Sequence, residues 1–217
     1  MPGGFERLGT RYGGWWVDTR RIEKKALLID CGLGLDISFP IAFLKRFPDA
    51  RVIGIEPNPR ALDYCRANCP EGMTILDRAL WTSNDRTLTF HLPRPISQLP
   101  KGADGISGSL DPSHGYVAGG GQIQTRTIDF ASILADARSE KCAILKLDIE
   151  GAEYPLLQAL CASGEIRRAD QVLVEFHHGA TQRSIDDTRS LVDTLIASGF
   201  FLMHIEGRNY VFLRNNN

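Results

Sequence analysis

The chain has 217 residues, 43% hydrophobic and 24% charged, with a formal net charge of −1, the balance of an ordinary soluble globule. That length suits one well-buried α/β domain and is short for two. The near-neutral charge argues against wholesale electrostatic binding to nucleic acid, which needs a basic face. The densest basic run, RRIEKK at 20–25, is broken by Ile22 and Glu23 and reads as a solvated face. No stretch approaches the roughly 20 apolar residues that cross a bilayer, and MPGGFERLG contains no apolar signal region. Five cysteines (Cys31, Cys65, Cys69, Cys142 and Cys161) are scattered without a CxxC pair. They read as reduced thiols, and a cytoplasmic protein without membrane contact is expected. Cys65 and Cys69 lie one helical turn apart, but no further Cys or His lies near enough to complete a zinc site.

The order of elements begins with an N-terminal segment, 1–25, that carries the aromatic, glycine-rich RYGGWWVD (11–18). ALLIDC (26–31) is a continuous apolar run, as expected of a strand covered on both faces. SFPIAFLKRF (38–47) reads as a helix with Ser38 as N-cap and Pro40 in its first turn. RVIGIE (51–56) is a second buried strand, and NPRALDYCRANC (58–69) a helix with Asn58 as N-cap and Pro59 at its first position. MTIL (73–76) is a short third strand, and TLTFHL (87–92) alternates as an antiparallel strand does. Residues 93–123 lack periodicity and are rich in Pro and Gly, so they read as an inserted loop, either a lid over a site or disordered chain.

Helix is predicted again over TIDFASILADA (127–137), strand over AILKLDI (143–149), and helix over AEYPLLQALCASG (152–164), with Gly164 suited to its end. QVLVEF (171–176) is a further strand. SIDDTRSLVDTLIASG (184–199) has the S-x-x-D capping pattern at Ser184 and Asp187. FFLMHIE (200–206) and NYVFLR (209–214) form a closing hairpin across the dipeptide GR. With no internal repeat and no linker, the chain 1–217 reads as a single domain.

Polar residues interrupt the apolar runs at the carboxyl ends of the strands, where open α/β sheets bind their ligands. Asp30 with Gly32 and Gly34 ends the first, Glu56 the second, Asp77 the third, Asp148 with Glu150 the fourth, and Glu175 with His177 the fifth. Gly32 and Gly34 allow a tight turn and close approach to a ligand. Glu56, 22 residues beyond Gly34, stands at the spacing of an acid that grips ribose hydroxyls, so an adenosine-type cofactor is expected. A dinucleotide fingerprint would want glycine at position 37, where Ile37 stands, and a pyrophosphate would be repelled by Asp36. S-adenosylmethionine, with a sulfonium and an amino group and no phosphate, suits an acid-lined turn better. An NAD-dependent oxidoreductase and a non-catalytic cofactor-binding module remain as alternatives.

LIDCGLGLDISFPIAFLKRFPDARVIGIEPNPRAL, then ILKLDIEGAEYPLL, together with the earlier YGGWWV, resembles the FkbM-type methyltransferases along most of the chain. The most specific stretches are KLDIEGAEY (146–154) and IGIEPNP (53–59). The resemblance implies a class I methyltransferase fold: a Rossmann-like, mostly parallel seven-stranded sheet with a C-terminal antiparallel hairpin strand and helices on both faces. It implies S-adenosylmethionine-dependent O-methylation of a small hydroxylated molecule, a sugar or secondary metabolite. Gly32 and Gly34 match the family's cofactor loop, Glu56 its ribose acid, and Asp148, Glu150, Gly151 and Glu153 its motif after the fourth strand. The chain departs from many members at Leu35-Asp36, where a glycine-bearing stretch is usual.

The expected cofactor-binding set is Asp30, Gly32, Gly34, Glu56, Asp77, Ala79, Asp148 and Glu150. Asp77 either bonds adenine or caps the turn before RALW. Ala79, Leu80 and Trp81 are candidates to pack on adenine, with core packing the other reading for Trp81. Trp15 and Trp16 either close over the cofactor or pin the N-terminal segment to the domain, and pinning is preferred. Asp148 is the expected catalytic residue, with His177 in reserve. Asp148, Glu175 and His177 would suit a divalent ion, but no ligand spacing demands one and no metal is expected. His114, inside the long loop, either enters the site when the loop closes or is solvated, and the solvated reading is preferred.

Overall fold

The computed structural model describes residues 4–215. Its first element is a hairpin of β1 (Phe5–Leu8) and β2 (Trp15–Asp18). Then follow β3 (Leu27–Cys31), α1 (Ser38–Arg46), β4 (Arg51–Ile55), α2 (Pro59–Ala67) and β5 (Met73–Leu76). Next come β6 (Ala79–Leu80), β7 (Thr87–His91), β8 (Gln122–Ile128) and α3 (Phe130–Asp136). The chain continues through β9 (Cys142–Leu147), α4 (Glu153–Ser163), β10 (Ala169–Glu175) and α5 (Ile185–Ala197) to β11 (Phe200–Glu206) and β12 (Asn209–Arg214).

Seven strands form the central sheet in the order β11-β12-β10-β9-β3-β4-β5. Only β12 runs antiparallel to its neighbours, so the sheet is mostly parallel, with the final hairpin expected from the sequence. Strand order reverses between β3 and β9, and these central strands are buried at every position. Successive side chains of β3 enter opposite cores: Leu27, Ile29 and Cys31 meet residues of α3, α4 and α5, whereas Leu28 meets α1 and the N-terminal hairpin. Each such Leu or Ile, wholly withdrawn from water, stabilises the sandwich by about 1.5–3 kcal/mol before the entropy of ordering it. The class I methyltransferase sandwich read from the sequence is thus the observed fold.

Local expectations hold at several ends. Asn58 accepts from the Arg60 amide with Pro59 beside it, Ser184 and Asp187 form a reciprocal capping box, and Gly164 ends α4 in the left-handed region. Three differ. Ser38 is not the cap of α1; the Asp36 carboxylate takes the Ser38 amide at 2.9 Å, which places Ser38 inside the helix. The helix expected from 127 starts at Phe130, because Thr127 and Ile128 belong to β8 and Asp129 caps α3 through the Ser132 amide at 2.7 Å. That same strand takes Gln122 and Ile123 from the expected loop, pairing them with β7. The aromatic leader is also a true sheet element, and Trp16 stacks on Phe5 at 5.5 Å while meeting His204 edge-on.

Candidate active site

A cavity of about 500 Å³ opens at the carboxyl ends of β3 and β9, where the strand order switches. Gly32, Gly34, Glu56 and Ala79 line one half; Asp148, Glu150, Glu175 and His177 line the other. Segment 93–121 closes over it, tied down where Asn58 Nδ2 donates to the Ile106 carbonyl and Ser109 Oγ to the Glu150 carbonyl. The size lies within the range of small-molecule sites, roughly 300–1,000 Å³.

In the first half the glycines have separate reasons. Gly32, at φ 79°, packs against the end of β9: a Cβ there would sit 1.7 Å from the Asp148 carbonyl oxygen. The close approach expected for a ligand is here made by the neighbouring strand. Gly34, at φ 55°, could hold a Cβ in ordinary contact with Ile106 Cγ2 at 3.8 Å and is glycine for its backbone conformation. Glu56 Oε2 accepts the Leu33 and Gly34 amides at 2.9 and 3.0 Å, and Oε1 accepts the Asn58 amide at 2.8 Å. These fill three of the roughly four acceptor positions of a carboxylate, leaving one for a ribose hydroxyl. Burial lifts the Glu56 carboxyl above its ordinary pKa, opposed by those amides.

The second half is built around charge. Lys146, on an otherwise apolar strand, is 5% exposed. Its ammonium lies 3.1 Å from Asp30 Oδ1 and 3.7 Å from Asp148 Oδ2 and donates to the Gly32 carbonyl at 2.6 Å. Burial works against that charge, but Asp30 and Asp148 outweigh it and hold the lysine protonated. The Asp30 side chain is 2% exposed and faces away from the cavity, whereas that of Asp148 keeps 30% of its surface there. Burial pushes the Asp148 carboxyl up to about 7, helped by Glu175 and Glu150 and opposed by Lys146 and His177.

His177 sits among four carboxylates. Nδ1 is 3.1 Å from Glu153 Oε1; Nε2 is 3.2 Å from Glu150 Oε2, 3.6 Å from Asp148 Oδ1 and 3.9 Å from Glu175 Oε1. Burial disfavours the imidazolium, but Glu153 and Glu150 raise its pKa to about 10, so the ring carries a proton at neutral pH without a metal. A ring in that state holds a proton rather than takes one. Glu150, at φ 54°, is in the left-handed region, a conformation costing an ordinary residue roughly 1–2 kcal/mol, and it turns towards His177 and His114. Burial would raise its carboxyl; the charge on His177 and the His114 contact bring it down to about 2.

Six of the eight residues expected at the cofactor line this cavity: Gly32, Gly34, Glu56, Ala79, Asp148 and Glu150. Asp30 lies behind it on Lys146, and exposed Asp77 lies outside, 3.7 Å from Arg66. His114, expected in solvent, is 1% exposed and lines the cavity, with Nε2 at 2.8 Å from Glu150 Oε2. Lys146 escaped the sequence reading, although a lysine inside ILKL was an available signal. Glu153, read with Glu150 as serving the cofactor's amino group or the helix N-terminus, does accept the Gly151 amide ahead of α4, but its hold on His177 was not expected. Trp15 is 4% exposed and, besides pinning the hairpin, reaches the cavity wall.

The residues present fit an adenosyl sulfonium: the Glu56 oxygen and glycine turn for the ribose, Ala79 and Leu80 as an apolar wall, and acids beyond for the cationic end. The sequence profile of the methyltransferase FkbM domain matches residues 30–211. No curated protein sequence matches. Among solved structures, the chain is similar to the fibrillarin pre-rRNA processing protein of Methanococcus jannaschii (TM-score 0.49, 11% identity, 91% of this chain and 70% of that one). It is also similar to precorrin-6y C5,15-methyltransferase from Geobacter metallireducens (0.47, 13%, 98% and 94%). A third is Aeropyrum pernix fibrillarin in complex with natively bound S-adenosyl-L-methionine (0.43, 12%, 98% and 84%). Likenesses of this degree say nothing about substrate. With 182 of its residues spanned by the domain profile (211 − 30 + 1), this chain belongs to the FkbM family of methyltransferases, and its cofactor is S-adenosylmethionine.

Proposed function

We propose that the protein methylates a hydroxyl oxygen of a small molecule, a sugar or secondary metabolite, and that Asp148 orients that hydroxyl and accepts its proton. The observation that carries this reading is the contrast across Lys146: Asp30 is sealed from the cavity, and Asp148 is open to it. The cofactor, when bound, supplies a methyl group on a positively charged sulfur that leaves as a neutral thioether. Displacement at that carbon needs an in-line oxygen, so holding the hydroxyl supplies much of the acceleration. Asp148 is suited to hold it because Lys146 on one side and His177 on the other fix the carboxylate. His177 serves as a positioning residue. The cavity's limited volume and the chain's net charge of −1 support a small neutral acceptor over a nucleic acid. Five free cysteines are consistent with a reducing, cytoplasmic setting.

The test follows methyl transfer from labelled cofactor to a panel of sugars and other hydroxylated metabolites. Asp148→Asn keeps the side chain's shape and should lower turnover by about 10²–10⁴-fold. Its affinity for S-adenosylhomocysteine, read by calorimetry, should stay close to that of the wild type. An unchanged rate would move the catalytic role elsewhere. Tight cofactor binding with no transfer to any acceptor would favour a non-catalytic module.

A further inference from the structure

The side chains beyond the cofactor half of the cavity are arranged for one more ligand. Glu153 is wholly buried; its Oε2 accepts the Gly151 amide at 2.7 Å and its Oε1 the His177 amide at 2.8 Å. The same Oε1 faces His177 Nδ1 at 3.1 Å, so that nitrogen carries its proton towards Glu153 and Nε2 is turned to the cavity. A buried carboxylate holding one ring nitrogen while the other points at acids is the outer support that metal-binding histidines have. One donor atom each from Asp148, Glu175 and His177 lies within 4.8 Å of the others. Arg208, 45% exposed, donates to Glu175 Oε1 at 2.8 Å from the solvent side and orients that carboxylate.

A second feature, on a different segment, points to the same space. His114 is 1% exposed, and its Nδ1 accepts the Tyr116 amide, so Nε2 carries the hydrogen. That Nε2 lies 2.8 Å from Glu150 Oε2 yet makes no aligned hydrogen bond. A buried donor left in this state is costly, and its place beside Glu150 puts an unsatisfied polar group at the rim of the space that Asp148, Glu175 and His177 enclose.

We propose that Asp148, Glu175 and His177 bind one divalent cation through a carboxylate oxygen each and Nε2, with its remaining positions open to the cavity. Carboxylates favour magnesium and manganese, and imidazole favours the later transition metals; manganese(II) takes both. Ligand atoms 3.6 and 3.9 Å from Nε2 need draw in by less than about 1 Å to meet one ion. Binding would displace the Nε2 proton, parting Nε2 from Glu150 Oε2 at 3.2 Å, and set the ion's open face towards the acceptor side. The site goes beyond the methyl-transfer reading and needs neither acceptor nor turnover; with the ion bound, Asp148 would keep only its second oxygen for the acceptor's proton.

The test uses the full chain, stripped with a chelator and titrated with manganese(II) while the free ion is followed by electron paramagnetic resonance. One ion per chain is expected, with a dissociation constant well below about 1 mM. Glu175→Gln should weaken it at least about tenfold while binding S-adenosylhomocysteine like the wild type, which reports a folded chain. Should that variant fail to fold, Asp148→Asn replaces it and should show the same weakening. Absence of saturable binding, or equal affinity in the variant, would overturn the proposal and leave His177 as an imidazolium that neutralises its carboxylates.

Discussion

The two halves of the cavity treat their acids in opposite ways. Beside the glycine turn, Glu56 is held by three backbone amides that belong to the fold itself. Across the cavity, Asp148, Glu150 and Glu175 share the side-chain cations Lys146, His177 and Arg208, with the His114 ring also against Glu150. Backbone donors cannot leave, so an acid satisfied by them is committed to shaping the loop. Side-chain cations can be rearranged or replaced by a ligand's charge, so acids satisfied by them stay available for chemistry. Asp30 and Asp148 make the same point with a single lysine, one sealed and one open.

The comparison breaks most visibly at Lys146. Lys146→Met keeps the volume of the side chain but leaves Asp30, 2% exposed, without its counter-charge. Breaking a buried pair by removing one partner typically costs about 3–5 kcal/mol, and urea denaturation should show a loss of that order. Adding Asp30→Asn to Lys146→Met should recover much of it. If the single substitution is silent, Asp30 is neutral in the folded chain and the lysine serves only Asp148.

How much of this was legible follows from which contacts are local. The glycine turn, the Glu56 spacing and the DIEG turn lie at ends of apolar runs, and period and punctuation alone find them. Asp148 and His177 were legible for the same reason. Asp30 and Asp77 obeyed the strand-end rule equally well, yet one pairs with a lysine from a neighbouring strand and the other with an arginine on α2. Sequence position gives the end of a strand, not the direction a carboxylate takes after tertiary pairing. His114 comes from a segment without periodicity, and its burial depends on that loop folding back to Glu150, 36 residues onward (150 − 114). The strand at 122–128 was hidden because its exposed residues Gln122, Gln124 and Arg126 are polar, and it pairs only within a small three-stranded sheet.

A smaller effect sharpens the contrast from the cofactor side. Glu56→Gln retains one oxygen for two of the amides but turns an NH₂ group towards the third donor. One buried backbone N–H then loses its acceptor, at a cost of about 1–3 kcal/mol. The loss should appear in ligand-free protein, with weaker S-adenosylhomocysteine binding added to it by calorimetry. Asp148→Asn should leave ligand-free stability nearly unchanged. Equal losses in the two variants would mean that the halves do not differ in the way their hydrogen bonds indicate.

The smallest expected effect lies where the glycine turn meets the N-terminal hairpin. Asp36 accepts the Ser38 amide at 2.9 Å and the Thr10 hydroxyl at 2.7 Å. Burial works against its charge, but the bonds from Ser38 and Thr10 bring the carboxyl below its ordinary pKa. Because the folded value is the lower one, its contribution is complete above the unfolded pKa and is lost as pH falls through the folded value. Asp36→Asn keeps one acceptor oxygen and removes the charge, so a penalty of no more than about 1 kcal/mol is expected at neutral pH. Thermal melts of both proteins should converge as the pH falls through the carboxylate range, since protonated Asp36 then resembles the amide. A gap that stays constant down to acid pH would mean that shape, and not charge, joins the hairpin to the glycine turn.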